Sequence, residues 1–322
     1  MNKFFYLIGI LVMMMSCGKD VDQFIPNASQ GVQGDITRLT SKLKQDLSGE
    51  ITYVGTVRCT GSQVFEIDKD LVLSFPPGFV DLNQYPCTNG YFDISVTVCD
   101  TKGEILISGI PTLSENKLLE SRIECNIEIK NGNHSVKLAQ GKKIGVYVKD
   151  PDPRDRMELF YGQDTDWLQA DGDPTIWNNV ANQEWTLESD STFFTGFGYG
   201  CLSDSIDWIN VDVFFDIPEN QRTPVCVELP AQFTNKNTKV FMAFDDYNSI
   251  TYMPGDSIQE RFCEHYGSTP IGFKVTFVVI AELGEEDYYF ASKTTNITPN
   301  LVESITPVKT PYESIKSYIL GL

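Results

Sequence analysis

The chain has 322 residues, with 44 aspartates and glutamates against 25 lysines and arginines, and a formal charge of −19. A surface this acidic offers no basic face, so neither nucleic acid nor an anionic membrane surface is expected as a partner. Hydrophobic residues at 41% and aromatics at 12% are enough for packed cores, which excludes wholesale disorder, and the length is that of two domains.

Lys3 is the only charge before Cys17, and it precedes an apolar run from Phe4 to Met15. At ~1.5 Å per residue that run spans ~18 Å, too short for a ~30 Å hydrocarbon core, so residues 1–16 read as a cleaved export signal. The junction Met14-Met15-Ser16-Cys17 resembles a bacterial lipobox, with Met14 where leucine is usual. The resemblance implies cleavage before Cys17 and a diacylglycerol on its thiol. The expected chain is then lipid-anchored to a membrane through Cys17 and does not span it. Lys19, Asp20 and Asp22 resemble the short charged signal of many Bacteroidota lipoproteins, which implies the exterior face of the outer membrane.

Residues 17–50 read as a tether followed by a short helix. Asp35 is its expected N-cap, Ile36, Leu39, Leu43 and Leu47 share one face, and Ser48-Gly49 is its expected end. From about Ile51 the period changes to two. Phe92, Ile94, Val96 and Val98 alternate with polar residues, as do Ile123, Cys125, Ile127 and Ile129, then Ile144, Val146 and Val148. Strict alternation predicts strands with one face in a core, and Asn131-Gly132-Asn133 predicts a hairpin. The loop-rich stretch after Asp150 is expected to join two domains. The pattern resumes with Ile209, Val211 and Val213, then Val225 to Val227 and Val240 to Phe244. Phe273 to Ile280 is nearly continuously apolar and predicts a central strand buried on both faces. Thr310-Pro311-Tyr312-Glu313 predicts a capping box opening a last helix that docks through Ile315 and Ile319. The expected fold is mostly β: two antiparallel β-sandwich-like domains with a short N-terminal and a C-terminal helix. The expected divisions are a first sandwich over 51–163, an acidic inter-domain loop over 164–184, and a second β domain over 185–322.

Leu71-Val72-Leu73-Ser74-Phe75-Pro76-Pro77-Gly78-Phe79-Val80-Asp81 resembles the signature of ZU5-like β-sandwich domains. Gly141-Lys142-Lys143-Ile144, Met157 to Gly162 and Asp207-Trp208-Ile209-Asn210-Val211-Asp212 are similar to phrases of an uncharacterised Bacteroidota outer-membrane lipoprotein family. The resemblance covers roughly residues 60 to 320. It implies a ZU5-like first domain joined to a second β domain, and it brings no functional residue with it.

Seven cysteines follow Cys17: Cys59, Cys87, Cys99, Cys125, Cys201, Cys226 and Cys263. Export permits disulfides, an odd number leaves at least one thiol unpaired or paired outside the chain, and pairing is expected within each half of the chain with its connectivity open. There are two histidines. His134 falls in the hairpin turn. His265 stands two residues from Cys263, a Cys/His spacing that fits a nucleophile pair but more simply a disulfide cysteine beside a surface histidine. Asp164, Asp166, Asp171 and Asp173 are the candidate ligands of a structural calcium, which takes oxygens from a turning acidic loop, although the spacing is not that of an EF-hand. The plainer reading there is a solvated loop. Trp167 and Trp177, in the same stretch, fit either packing at the domain junction or an exposed binding surface. Ser191, Ser205 and Ser257 each follow an aspartate in a step that resembles a Bacteroidota O-glycosylation sequon.

No nucleophile elbow, zinc-protease helix, phosphate loop or dinucleotide fingerprint occurs in the sequence. The expected function is a non-catalytic binding or scaffold subunit, accessory to an outer-membrane protein complex. The alternatives carried beside it are an extracellular glycan-binding protein and a polysaccharide hydrolase using paired carboxylates.

Overall fold

The computed structural model describes residues 34–322 except 68–69, 115–116, 164–165, 170–182, 190–191, 257–260 and 265–266; side chains at 50, 163, 166–169, 183–186, 188–189, 192–193 and 256 are also left out. These residues belong to one compact unit, Gly34–Leu322. No helix among them is long and apolar enough to cross a membrane.

Helix α1 (Ile36–Ile51) opens on Asp35, whose carboxylate accepts from the Thr37 amide at 2.9 Å. The expected face is the buried one: Ile36, Leu39, Leu43 and Leu47 are all sealed. The expected stop at Ser48-Gly49 does not occur, and α1 runs to Ile51 and hands the chain directly to the first strand. Gly49 has no heavy atom within 4 Å of its missing Cβ, so nothing forces the helix to break there.

The first sandwich is assembled in chain order from β1 (Thr52–Arg58), β2 (Gln63–Glu66), β3 (Leu71–Phe75), β4 (Tyr91–Cys99), helix α2 (Lys102–Ser108), β5 (Leu113–Ser114), β6 (Lys117–Asn131), β7 (His134–Ser135), β8 (Ile144–Lys149), β9 (Glu158–Gln163), β10 (Asp166–Gln169), β11 (Gln183–Ser189), β12 (Thr192–Ser203) and β13 (Trp208–Phe214). One sheet has the order β1-β4-β6-β13-β9-β10, with β5 and β7 also pairing β6; the other runs β11-β12-β8-β3-β2. The alternating apolar residues meet between them, among them Ile94, Val96, Ile127, Val146, Ile209 and Val211. The predicted hairpin is present, Asn131 pairing with His134 around Gly132 at φ +61°.

The second sandwich follows as β14 (Arg222–Thr223), β15 (Val225–Glu228), β16 (Thr238–Phe244), β17 (Ile250–Met253), β18 (Gly255–Asp256), β19 (Arg261–Cys263), β20 (Thr269–Pro270), β21 (Lys274–Gly284), β22 (Asp287–Asn296), β23 (Leu301–Ser304), β24 (Val308–Lys309) and helix α3 (Tyr312–Leu320). Its sheets are β18-β19-β15-β23 and β17-β16-β21-β22-β24, with β14 and β20 forming a small ladder. Its pairings are antiparallel except β15 with β23. Strand β21 is central and covered on both sides, as its apolar run predicts. Val275, Phe277 and Val279 face the sandwich core, while Val278 and Ile280 face the three helices.

The division between sandwiches differs from the expected one. Strands β11, β12 and β13 lie beyond residue 182, yet β12 pairs with β8 and β13 with both β6 and β9. The first sandwich therefore extends to Phe214, because alternation identifies a strand and its faces but carries no record of its partner. The capping box also fails to form. Pro311 is the N-cap, with no side-chain cap, and the Thr310 hydroxyl donates instead to the Val308 carbonyl at 2.9 Å. The helix nevertheless docks as expected, with Ile315 and Ile319 fully buried against α2 and the outer face of β16, β21 and β22.

Candidate functional site

Strand β6 is the axis of the molecule. Leu118 enters the second sandwich core, and Ile123 to Ile129 the first. Midway it carries a bulge: Val211 pairs with Ile123 and Asp212 with Ser121, which leaves Arg122 over. A bulge turns a side chain that alternation would place elsewhere. Arg122 crosses toward the other sheet, donating to Asp150 Oδ2 and Asp70 Oδ2, each at 3.1 Å, and to the Lys149 carbonyl at 2.8 Å.

On the opposite face the bulge brings together four polar residues in two cross-strand pairs, Glu124 with Asn210 and Ser121 with Asp212. All four are buried, and Glu124, Asn210 and Asp212 have no exposure at all. Their cover comes from two sides. Helix α2 supplies Ser108, whose hydroxyl donates to Glu124 Oε2 at 3.4 Å. It starts on a complete capping box between Thr101 and Glu104 and ends at Gly109 in the left-handed region. The turn between β16 and β17 supplies Asn248, whose amide donates to the carbonyls of Asp100 and Ser121, both at 3.0 Å. Lys102 ties α2 to that turn through the Phe244 carbonyl at 2.6 Å. The polar cluster thus sits where the second sandwich closes on the outer face of the first.

Inside the cluster, the Asn210 amide donates to Asp212 Oδ2 at 2.6 Å and the Ser121 hydroxyl to Asn210 Oδ1 at 2.9 Å. Glu124 Oε1 and Asp212 Oδ1 have no hydrogen-bond partner among the described residues. Burial drives the Glu124 carboxyl well above the usual carboxylate range, and Asp212 adds to the effect. Burial does the same to Asp212; Ser121 and Asn210 oppose it, and Glu120 reinforces it. Cys99, opposite Glu124 on β4, is raised chiefly by burial and then by Glu124. Each of these shifts favours the protonated form.

The residues singled out in the sequence are only partly brought into view. Cys17, Asp164, Asp171, Asp173, Trp177, Ser191 and Ser257 lie outside the described residues, as does His265. Asp166 and Trp167 lie on β10, paired with Gln163 and Gly162, with their side chains outside the description. Ser205 is half-buried in a turn, its amide donating to Ser203 Oγ. Cys263 is bridged to Cys226, which removes it as a nucleophile, and Cys59 is bridged to Cys87. Both bridges stay within their half of the chain, as expected, and Cys99, Cys125 and Cys201 remain as buried thiols. Among the described residues no three His, Cys, Asp or Glu side chains converge as a metal group. The Glu124–Asp212 pair was missed because each acid reads as the polar member of an alternating strand. The signal available was the pair of polar residues Asn210 and Asp212 on one face of a strand whose polar face had to be covered.

Compared with models of known protein families and with curated proteins, the chain matches none.

Proposed function

We propose that the chain is a lipid-anchored, surface-exposed outer-membrane lipoprotein. It would act as a non-catalytic binding or scaffold subunit of an outer-membrane protein complex, with a ZU5-like first sandwich. The observation that carries this reading is the apolar run that ends at Ser16-Cys17 and turns at once to Lys19, Asp20 and Asp22. The way the body receives its tether supports it. Gly34 packs so closely that a Cβ there would stand 1.6 Å from the Glu282 carbonyl oxygen. One turn later Arg38 pairs with the buried Glu282 at 2.7 Å. A load on the tether would pass to β21, the central strand of the second sandwich, and not to a loose end.

In this reading Trp167 and Trp177 belong to the binding surface, Asp164, Asp166, Asp171 and Asp173 stay solvated, and Ser191, Ser205 and Ser257 carry sugars. The hydrolase alternative needs two carboxyls that reach solvent on either side of a bond. Glu124 and Asp212 are sealed and do not serve it. Metabolic labelling with a fatty-acid analogue tests the anchor: label on the wild type that is lost in Cys17→Ser supports it. An unlabelled wild type, or label that persists in the variant, overturns it.

A further inference from the structure

We infer that Glu124 and Asp212 form the anionic half of a buried site for one divalent, oxygen-seeking cation of the calcium class, placed at the junction of the two sandwiches. Two acids on neighbouring strands are not in themselves a site. The second observation is that each keeps one oxygen, Glu124 Oε1 and Asp212 Oδ1, with no donor although the residue is wholly buried. Buried carboxyl oxygens without partners are costly, and native structures rarely leave them so. Among the described residues no lysine or arginine nitrogen is bonded to either acid: Arg122 is turned to Asp70 and Asp150, and Lys102 to the Phe244 and Asp245 carbonyls.

The remaining donors are oxygens. Ser121 and Asn210 share the face through the cross-strand pairs, and Ser108 reaches Glu124 from α2. Diagonal positions on paired strands are within reach of a side chain as long as glutamate. Carboxylate, amide and hydroxyl oxygens suit a hard cation, and two carboxylates balance its charge. Zinc does not fit. Cys99 lies opposite Glu124, but its thiol does not converge with the two acids. An ion here would bridge β6, β13 and α2 beneath the second sandwich, so its effect is on how firmly the two halves hold together.

The test uses the purified full chain, stripped with chelator and then titrated with calcium. The expected result is a rise of several degrees in Tm and one calcium per chain retained after desalting. Asp212→Asn and Glu124→Gln are amide copies of the protonated acids, so both should fold in chelator. Each should lose that calcium and the Tm response, while a variant with Asp164 and Asp166 changed to asparagine should keep both. No retained calcium in the wild type overturns the inference, since protons alone then neutralise the pair. A Tm response that persists in both amide variants also overturns it, since the cation then acts elsewhere on an acidic chain. Should either variant fail to fold, the other variant and the wild-type ion content still decide.

Discussion

The Cα of Gly103 lies against the main-chain carbonyl of Ile319: a methyl group at Gly103 would stand 1.9 Å from that oxygen. Helix α2 leaves the first sandwich and α3 packs on the second, so this backbone contact lies at the junction of the two. Ile105, Ile315 and Ile319 pack in the same cluster.

Gly103→Ala should therefore destabilise the protein. Alanine gains about 1 kcal/mol of helix propensity over glycine. An overlap of this size forces the two helices apart, at a cost of about 1–3 kcal/mol, and loosens fully buried isoleucines as well. The second effect wins, and thermal melting should show a lower Tm. Gly49→Ala in α1 is the matched control. Nothing lies within 4 Å of its added Cβ, so the same propensity gain should raise Tm.

Chelated protein should become more stable as pH falls toward 5. Glu124 and Asp212 have folded-state pKa values above their unfolded ones, so between the two the fold binds more protons than the unfolded chain. Stability is then full below the unfolded pKa near 4 and is lost as pH rises toward the folded pKa, by at most ~1.4 kcal/mol per pH unit for each group. Relief of the net acidic charge acts in the same direction. Denaturant midpoints of the wild type and of Asp212→Asn separate the two: the variant should lose the share of the slope that belongs to Asp212 and keep the shares of Glu124 and of the net charge. Equal slopes would show that Asp212 ionises in the fold.

The thiols give a third prediction. Under native conditions Cys99, Cys125 and Cys201 should resist alkylation, because all three are buried and burial raises the Cys125 thiol to about 12. Denaturation without reductant should expose the three thiols of Cys99, Cys125 and Cys201, counted by mass spectrometry. Cys226→Ala with Cys263→Ala opens a crosslink of sequence separation 37 and should cost about 3–4 kcal/mol by loop entropy.

The helices and strands were legible where one face alternates or repeats without interruption. Leu39, Leu43 and Leu47 foretold α1, and Val275 to Ile280 foretold a strand covered twice, since burial is what those patterns record. Partnership was not legible. Val211 and Asp212 look like ordinary in-and-out neighbours; only the bulge at Arg122 puts Asp212 beside Ser121 and turns Arg122 to the other sheet. The same limit misplaced the domain boundary, because β11 to β13 return to strands far back in the chain. The last helix shows the converse. Its apolar face was readable in Ile315 and Ile319, yet its cap was misread, because Thr310 spends its hydroxyl on Val308 at the end of β24.

The central claim is that a folded two-sandwich body works at a membrane through a lipid on Cys17, as a binding or scaffold subunit. Affinity purification of the native lipidated protein from gently solubilised outer membrane, with quantitative mass spectrometry, tests it most directly. The account predicts one or more membrane proteins at near-stoichiometric yield, and their loss from the membrane fraction of Cys17→Ser. A wild-type chain recovered alone, with hydrolytic activity on extracellular polysaccharide, would contradict it.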